Sequence, residues 1–243
     1  MEQTAIVKKN VNVAFRITAI PERIQNVEKQ VEATGIPWDS VYIDKAHNGN
    51  IWNKFRVLAD VANSKEYSHV CMNDDDLIMP RNFTDAVNCL VQRFPNSIFT
   101  FYNSKVGGTN PQIFRMKNHY MNGASCVIPK GIINDFIAFY SAYLNGFRWD
   151  DTSVSMYALL NDIDVLLPVP KIVDVAHLQS SLPMRKGKFQ PCNSGAVYNG
   201  LINIDELLNA PVADINGSRL NTHLPENHEI RIACENKLKG MIE

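Results

Sequence analysis

No glycine-rich nucleotide fingerprint occurs in this chain of 243 residues. GxGxxG is absent behind the first hydrophobic run, and so is GxxxxGK followed by Ser or Thr. That removes the dinucleotide-binding and P-loop readings. GxSxG and HExxH are missing too, which sets aside a nucleophile-elbow hydrolase and a zincin. The five cysteines, Cys71, Cys89, Cys126, Cys192 and Cys234, form no CxxC pair. A zinc ribbon or disulfide framework is therefore not expected, and reduced thiols in a cytoplasm are. Neither sign of charge is in excess. A formal net charge of −1 gives no global attraction to nucleic acid or to a membrane. No apolar run approaches the roughly 20 residues of a membrane helix. The first residues, Met1-Glu2-Gln3-Thr4, carry no basic-then-apolar signal, so a cytoplasmic protein is expected.

What remains is ordinary globular material, with 45% hydrophobic and 20% charged residues. That suffices for one α/β domain over 1–243 with a sizeable core. No repeat or low-complexity linker divides it. Residues 11–17 alternate as a first strand. Pro21 opens a helix over 22–34, with Ile24, Val27 and Val31 at helical spacing and Gly35 at its end. Further strands are predicted at 41–44, 69–72 and 97–102, with helices at 51–63 and from Asn82 to Phe94. This alternation predicts a mainly parallel sheet with helices on both faces, whose ligands gather at the carboxyl ends of strands. The second half is less regular. Residues 120–129 read as strand or loop around Gly123-Ala124-Ser125. Helices are predicted at 131–143, 152–161 and 227–241, and short strands at 165–167 and 172–175. Beyond Gln179 the chain is polar and rich in loop formers.

The most informative feature is Asp74-Asp75-Asp76, three adjacent carboxylates at the end of an apolar strand. Like charges repel, and a divalent cation relieves the repulsion; hard oxygen ligands suit Mg²⁺ or Mn²⁺. A solvated turn with an Asp capping the next helix is the plain alternative. In an extended segment Asp74 and Asp76 point to one side and Asp75 to the other. This makes Asp74 and Asp76 the metal pair and Asp75 structural; a sharper turn reassigns the roles.

Trp149-Asp150-Asp151 precedes the helix predicted from Thr152. It is either an N-cap favoured by the helix dipole or a carboxylate general base facing an acceptor hydroxyl. Neighbouring carboxylates raise one another's pKa, which suits a base near neutrality. His177 ends a short strand and is either structural or a nitrogen ligand beside Asp76. The basic stretch Arg185-Lys186-Gly187-Lys188 is either a solvated loop or a cover for phosphates. Arg16 and Arg23 flank the first strand-to-helix loop as candidates for phosphate or nucleobase.

Taken in order, these features resemble a GT-A-type nucleotide-sugar glycosyltransferase, closest in style to family 2. The similarity covers roughly 11–181. It rests on the opening strand and loop from Phe15 to Arg23, on Asp44 after the second strand, and on the helix at 51–63. It continues through Asp74-Asp75-Asp76, Asn122-Gly123-Ala124-Ser125, Trp149-Asp150-Asp151 and His177. The resemblance implies a Rossmann-like, mainly parallel sheet flanked by helices. A nucleotide-sugar-binding half would span about 1–103, an acceptor half about 104–182 and an irregular tail the rest. Asp44 would bind the nucleobase, with Arg16 or Arg23 nearby. Asp74 would contact ribose or metal, and Gly123 would belong to the sugar loop. Asp76 and His177 would ligate Mn²⁺ or Mg²⁺ on the diphosphate, with Arg185 and Lys188 on phosphate. Asp151, seconded by Asp150, would be the base. Asp150 stands where the family pattern has Glu, and Asn73 occupies an often acidic position. No QxxRW-type processive motif is present, so single transfer is expected.

The function expected is metal-dependent transfer of a sugar from a nucleoside-diphosphate sugar, a UDP-sugar in the first instance. The acceptor is a glycan hydroxyl or a hydroxymethylated DNA base of the phage type, which would place the protein in a host cytoplasm. A patch of Arg81, Arg115, Lys117, Arg185, Lys186 and Lys188 is the candidate for tracking DNA phosphates. A metal-dependent nucleotidyl- or phosphotransferase and a catalytically silent nucleotide-sugar-binding module are the competing classes.

Overall fold

A computed structural model describes residues 11–102, 108–116, 123–145, 150–176, 200–215 and 224–241. Its frame is an eight-stranded mixed sheet that is largely parallel. The first strand, β1 (Val13–Ala19), shows why. Val13, Ile17 and Ala19 are buried on one face and Ala14 on the other. A strand covered on both faces needs apolar residues on both sides of the pleat.

α1 (Ile24–Thr34) follows a short 3₁₀ turn at Pro21–Arg23 and buries Val27 against Ile17 and Ala19. Gly35 ends it at φ +70°, a left-handed cap that suits glycine, and its N–H donates to the Val31 carbonyl at 2.9 Å. β2 (Val41–Ile43) and β3 (His69–Asp74) flank β1, both parallel to it. α2 (Asn50–Asn63) crosses between them and packs Val57, Leu58 and Val61 on the opposite face from α1. β4 (Leu77–Ile78) leaves the acidic turn, and α3 (Phe83–Arg93) returns the chain on the α1 face.

Beyond β3 the sheet continues with β7 (Ser125–Pro129), β5 (Ile98–Thr100), β8 (Val165–Val169), β6 (Gln112–Met116) and β10 (Val212–Ile215). β7 is antiparallel to both β3 and β5, and β6 is antiparallel to β8. The segment at 120–129, ambiguous in the sequence, thus supplies a reversed strand in the middle of the sheet. α4 (Ile133–Tyr143) and α5 (Asp150–Leu160) join α2 on its face, and α7 (Glu229–Lys239) packs behind α5. α6 (Ile204–Asn209) sits on α3. A separate two-stranded ribbon pairs β4 with β9 (Asp174–Val175).

The elements the sequence pattern does not announce are β6, β10 and α6. β10 alternates only between exposed and half-buried positions, so it lacks an apolar face. α6 corrects the expectation of loop beyond Gln179. It has only six residues, and its Asn203 cap accepts from the Glu206 N–H at 3.2 Å. The described residues contain no helix long and apolar enough to cross a membrane.

Phe83 is fully buried, its ring 6.2 Å from Phe15 and 5.8 Å from Phe101 in edge-on contact. Phe83→Ala is expected to destabilise the fold by about 3–5 kcal/mol, as read from the midpoint of a urea unfolding curve.

Candidate active site

The strand order runs β2-β1-β3, so the chain leaves β1 to one side and returns on the other. Open α/β sheets hold ligands at such a reversal, outside the carboxyl ends of the strands. The acidic residues stand there. Thr18 on β1 is in register with Asp74 on β3.

The strand stops at Asp74, and Asp75-Asp76 form a turn into β4. The expected side-sharing of Asp74 and Asp76 is therefore corrected, because alternation holds only while the chain is extended. Asp74 lies on the α2 side. Its Oδ1 accepts from the Thr18 hydroxyl at 3.2 Å and pairs with Lys54 Nζ at 3.1 Å. Asp75 and Asp76 meet Arg23 instead, whose Nη1 donates to Asp75 Oδ1 at 2.8 Å and to Asp76 Oδ2 at 3.0 Å. The other Asp75 oxygen accepts from the Ile20 N–H at 2.9 Å. With both oxygens engaged, Asp75 ties the turn to the loop after β1.

Backbone carbonyls of the turn are held as well. Asn26 Nδ2 on α1 donates to the Asp75 carbonyl at 2.6 Å, and Gln30 Nε2, one turn on, donates to the Asp74 carbonyl at 3.1 Å. The Ala176 N–H donates to the Asp76 carbonyl at 2.6 Å. His177, the next residue, lies outside the described residues, as do Trp149, Asn122, Arg185, Lys186 and Lys188.

Burial works against both charges of the Arg23–Asp75 pair. It pulls the guanidinium down, but Asp75 and Asp76 more than offset this and leave Arg23 raised. It pushes the Asp75 carboxyl up, and Arg23 and the Ile20 N–H do not fully reverse that; Asp76 adds to the rise. The pair is thus one that holds its shape at some cost in solvation.

Asp44 follows β2 and is buried. Burial pushes its carboxyl up, but the amides of Gly49, Asn48 and Ala46 and the Asn48 side chain leave it below its ordinary value. Its oxygens accept from Gly49 N–H at 2.8 Å and Asn48 Nδ2 at 3.2 Å. Gly49, at φ +110°, makes that wrap possible. Asp44 thereby shapes the loop that leads into α2.

Arg16 is not in this group. It sits in mid-strand, where Nη1 donates to Ser40 Oγ at 3.0 Å and the guanidinium lies 5.1 Å from the Tyr67 ring centre. Ser40 and Tyr67 precede β2 and β3, so Arg16 turns to the amino-terminal edge of the sheet. Of the two arginines expected to flank the first strand-to-helix loop, only Arg23 faces it; Arg16 turns to the opposite end of the strand. Arg115 pairs with Asp164 at 3.0 Å and Asp214 at 3.5 Å, which neutralises one cation of the suggested phosphate patch.

Lys54 is the residue the sequence reading missed. It is buried, and its ammonium lies 2.7 Å from the Gly123 carbonyl as well as 3.1 Å from Asp74. The signal was present. Lys54, Val57, Leu58 and Val61 recur at helical spacing on the core side of α2, and a lysine on an apolar stripe wants an anionic partner. The Asp74 N–H donates to the Ala124 carbonyl at 2.8 Å, and Ser125 Oγ donates to Asn73 at 2.7 Å. These contacts bring the Gly123-Ala124-Ser125 stretch alongside the acidic strand end.

α5 starts at Asp150, two residues earlier than expected, which puts Asp151 inside its first turn. Asp151 Oδ1 accepts from the Thr152 N–H at 2.7 Å. Val154, one turn along from Asp151, borders a cavity shared with Lys54, Leu58, Met72, Gly123 and Cys126. Lys54 thus joins Asp74 to the Gly123 carbonyl, and α5 reaches the cavity beside it through Val154. Among the described residues no group of three or more His, Cys, Asp and Glu is arranged to hold a metal ion. The oxygen donors of Asp74 and Asp76 are of the type that fits Mn²⁺ or Mg²⁺.

No family model matches the chain, and no curated protein matches it.

Arg23→Ala is expected to cost about 3–5 kcal/mol near pH 7, because it leaves a buried carboxylate without its cation. The sign of the pH effect follows from Asp75. Its carboxyl, already raised, rises further in the variant, so the folded state holds a proton that the unfolded chain releases. The difference from the parent then shrinks as pH falls from 7 through the raised Asp75 value. Urea unfolding at several pH values reads this directly.

Proposed function

We propose that the chain is a metal-dependent glycosyltransferase with a GT-A-type fold, acting on a nucleoside-diphosphate sugar, first of all a UDP-sugar. The observation that carries the reading is the place of the acidic turn. Asp74 and Asp76 stand at the carboxyl ends of parallel strands where the strand order reverses, with the Gly123 stretch tied to Asp74 through Lys54.

Asp74 and Asp76 would hold Mn²⁺ or Mg²⁺, with His177 as a further ligand. Bound there, the cation would offset the charge that grows on the departing diphosphate. The remaining work falls to side chains. Arg23 keeps the acidic turn in shape, and the Asp44 loop borders the nucleotide. Arg185 and Lys188 are assigned to phosphate on the sequence pattern alone. Asp151 would take the proton of the acceptor hydroxyl as the new C–O bond forms at the anomeric carbon. The bond from that carbon to the diphosphate breaks in the same displacement, which inverts the configuration. With Arg115 already neutralised by two aspartates, we carry a glycan acceptor forward ahead of a hydroxymethylated DNA base.

A panel of nucleotide sugars, each with Mn²⁺, is expected to contain one that raises the melting temperature. Saturation at about 100 times Kd adds roughly 2.7 kcal/mol. Asp76→Ala should abolish the Mn²⁺-dependent part. Turnover should release a nucleoside diphosphate; release of pyrophosphate would instead mark a nucleotidyltransferase. No shift with any nucleotide sugar, with or without Mn²⁺, would remove the basis of the proposal. Asp151→Asn is expected to lower kcat by about 10²–10⁴-fold while leaving the Mn²⁺–nucleotide thermal shift intact. Loss of both together would show Asp151 to be a folding residue.

A further inference from the structure

Lys54 has more to say about the site than its burial. Its side chain is only 4% exposed, and it is shared between Asp74 Oδ1 at 3.1 Å and the Gly123 carbonyl at 2.7 Å. An apolar residue would serve helix packing at this position at lower solvation cost, since Val57, Leu58 and Val61 continue the same stripe. The ammonium is thus placed by what it meets. It meets Asp74, whose side chain is 20% exposed, more open than that of Asp75 at 8% or Asp76 at 7%. The carboxylate best placed to accept a ligand already has a resident cation.

A second cation brought to the same carboxylate is repelled by the first. A diphosphate arriving with it supplies the missing negative charge. We propose that Lys54 is a positioning residue and the built-in counter-ion of Asp74. It keeps Asp74 aimed and the Gly123 stretch docked in the free protein, and it holds the affinity for a bare divalent cation low. The cation is then taken up together with the nucleoside diphosphate. This rests on the glycosyltransferase reading, because it takes Asp74 to be a metal ligand.

The test is a calorimetric titration with Mn²⁺, alone and in the presence of UDP, with folding checked by circular dichroism. The parent protein should bind Mn²⁺ at least about tenfold more tightly when UDP is present, the size of an ordinary coupling between sites. Lys54→Gln removes the charge and keeps a donor for the Gly123 carbonyl. It should tighten binding of Mn²⁺ alone by about tenfold and narrow the gap that UDP creates. Lys54→Arg should behave like the parent, and adding Asp74→Asn to Lys54→Gln should cancel the gain. Equal Mn²⁺ affinity with and without UDP in the parent overturns the proposal without recourse to any variant. So does a folded Lys54→Gln protein whose Mn²⁺ affinity is unchanged or weaker. In those cases Mn²⁺–UDP binding by the parent leaves the glycosyltransferase reading standing. Absence of Mn²⁺ binding in every form, with or without UDP, sinks both.

Discussion

Three adjacent carboxylates at the end of a buried strand are the constraint around which this molecule is arranged. Two unit charges 4 Å apart repel by about 4 kcal/mol in surroundings of intermediate polarity. An apolar strand end cannot absorb that repulsion for three in a row. The chain separates them by turning. Asp74 stays with the strand and faces Lys54 on α2, while Asp75 and Asp76 turn to Arg23 beside α1. Two helices on opposite faces of the sheet thus each supply or support one cation.

The turn in turn demands partners for its backbone. A buried carbonyl left unpaired costs about as much as a lost hydrogen bond. Asn26 and Gln30, one turn apart on α1, are positioned for this. So is Ala176, at the end of the strand that pairs with β4. The half-buried Asn26 and the buried Gln30 are therefore not defects in the amphipathic pattern of α1. They hold the acidic residues in a shape that repulsion alone would open.

The sequence made the first half of the fold legible because strand and helix periods alternate cleanly there. β1, α1, β2, α2, β3 and α3 lie within one to three residues of expectation. It failed where tertiary context decides. β7 lies in a stretch that reads as strand or loop, and nothing in Ser125–Pro129 announces that it runs against its neighbours. β10 has no buried face to betray it. In the site, the clustering of charge marked Asp74, Asp75 and Asp76, but strand alternation divided them wrongly, because the division depends on where the strand stops. Arg16 and Arg23 looked equivalent beside one loop. Arg16 sits in mid-strand while Arg23 closes the 3₁₀ turn beyond the strand end, and they serve opposite edges of the sheet. Lys54 was readable as a charge on an apolar stripe, although its partners, 20 and 69 residues away in sequence, were not.

The separation of charges also divides the labour. Asp74, Lys54, the Gly123 carbonyl and Val154 on α5 belong to the face covered by α2, α4 and α5. Arg23, Asp75, Asn26 and Gln30 belong to the α1 side and spend their hydrogen bonds on the turn itself. A ligand that reaches both Asp74 and Asp76 must therefore straddle the end of β3. On the proposed reading its position would be set by the α1 side and its charge met on the α2 side. Disturbing the first group would then change whether the turn exists, and disturbing the second would change what an intact turn binds.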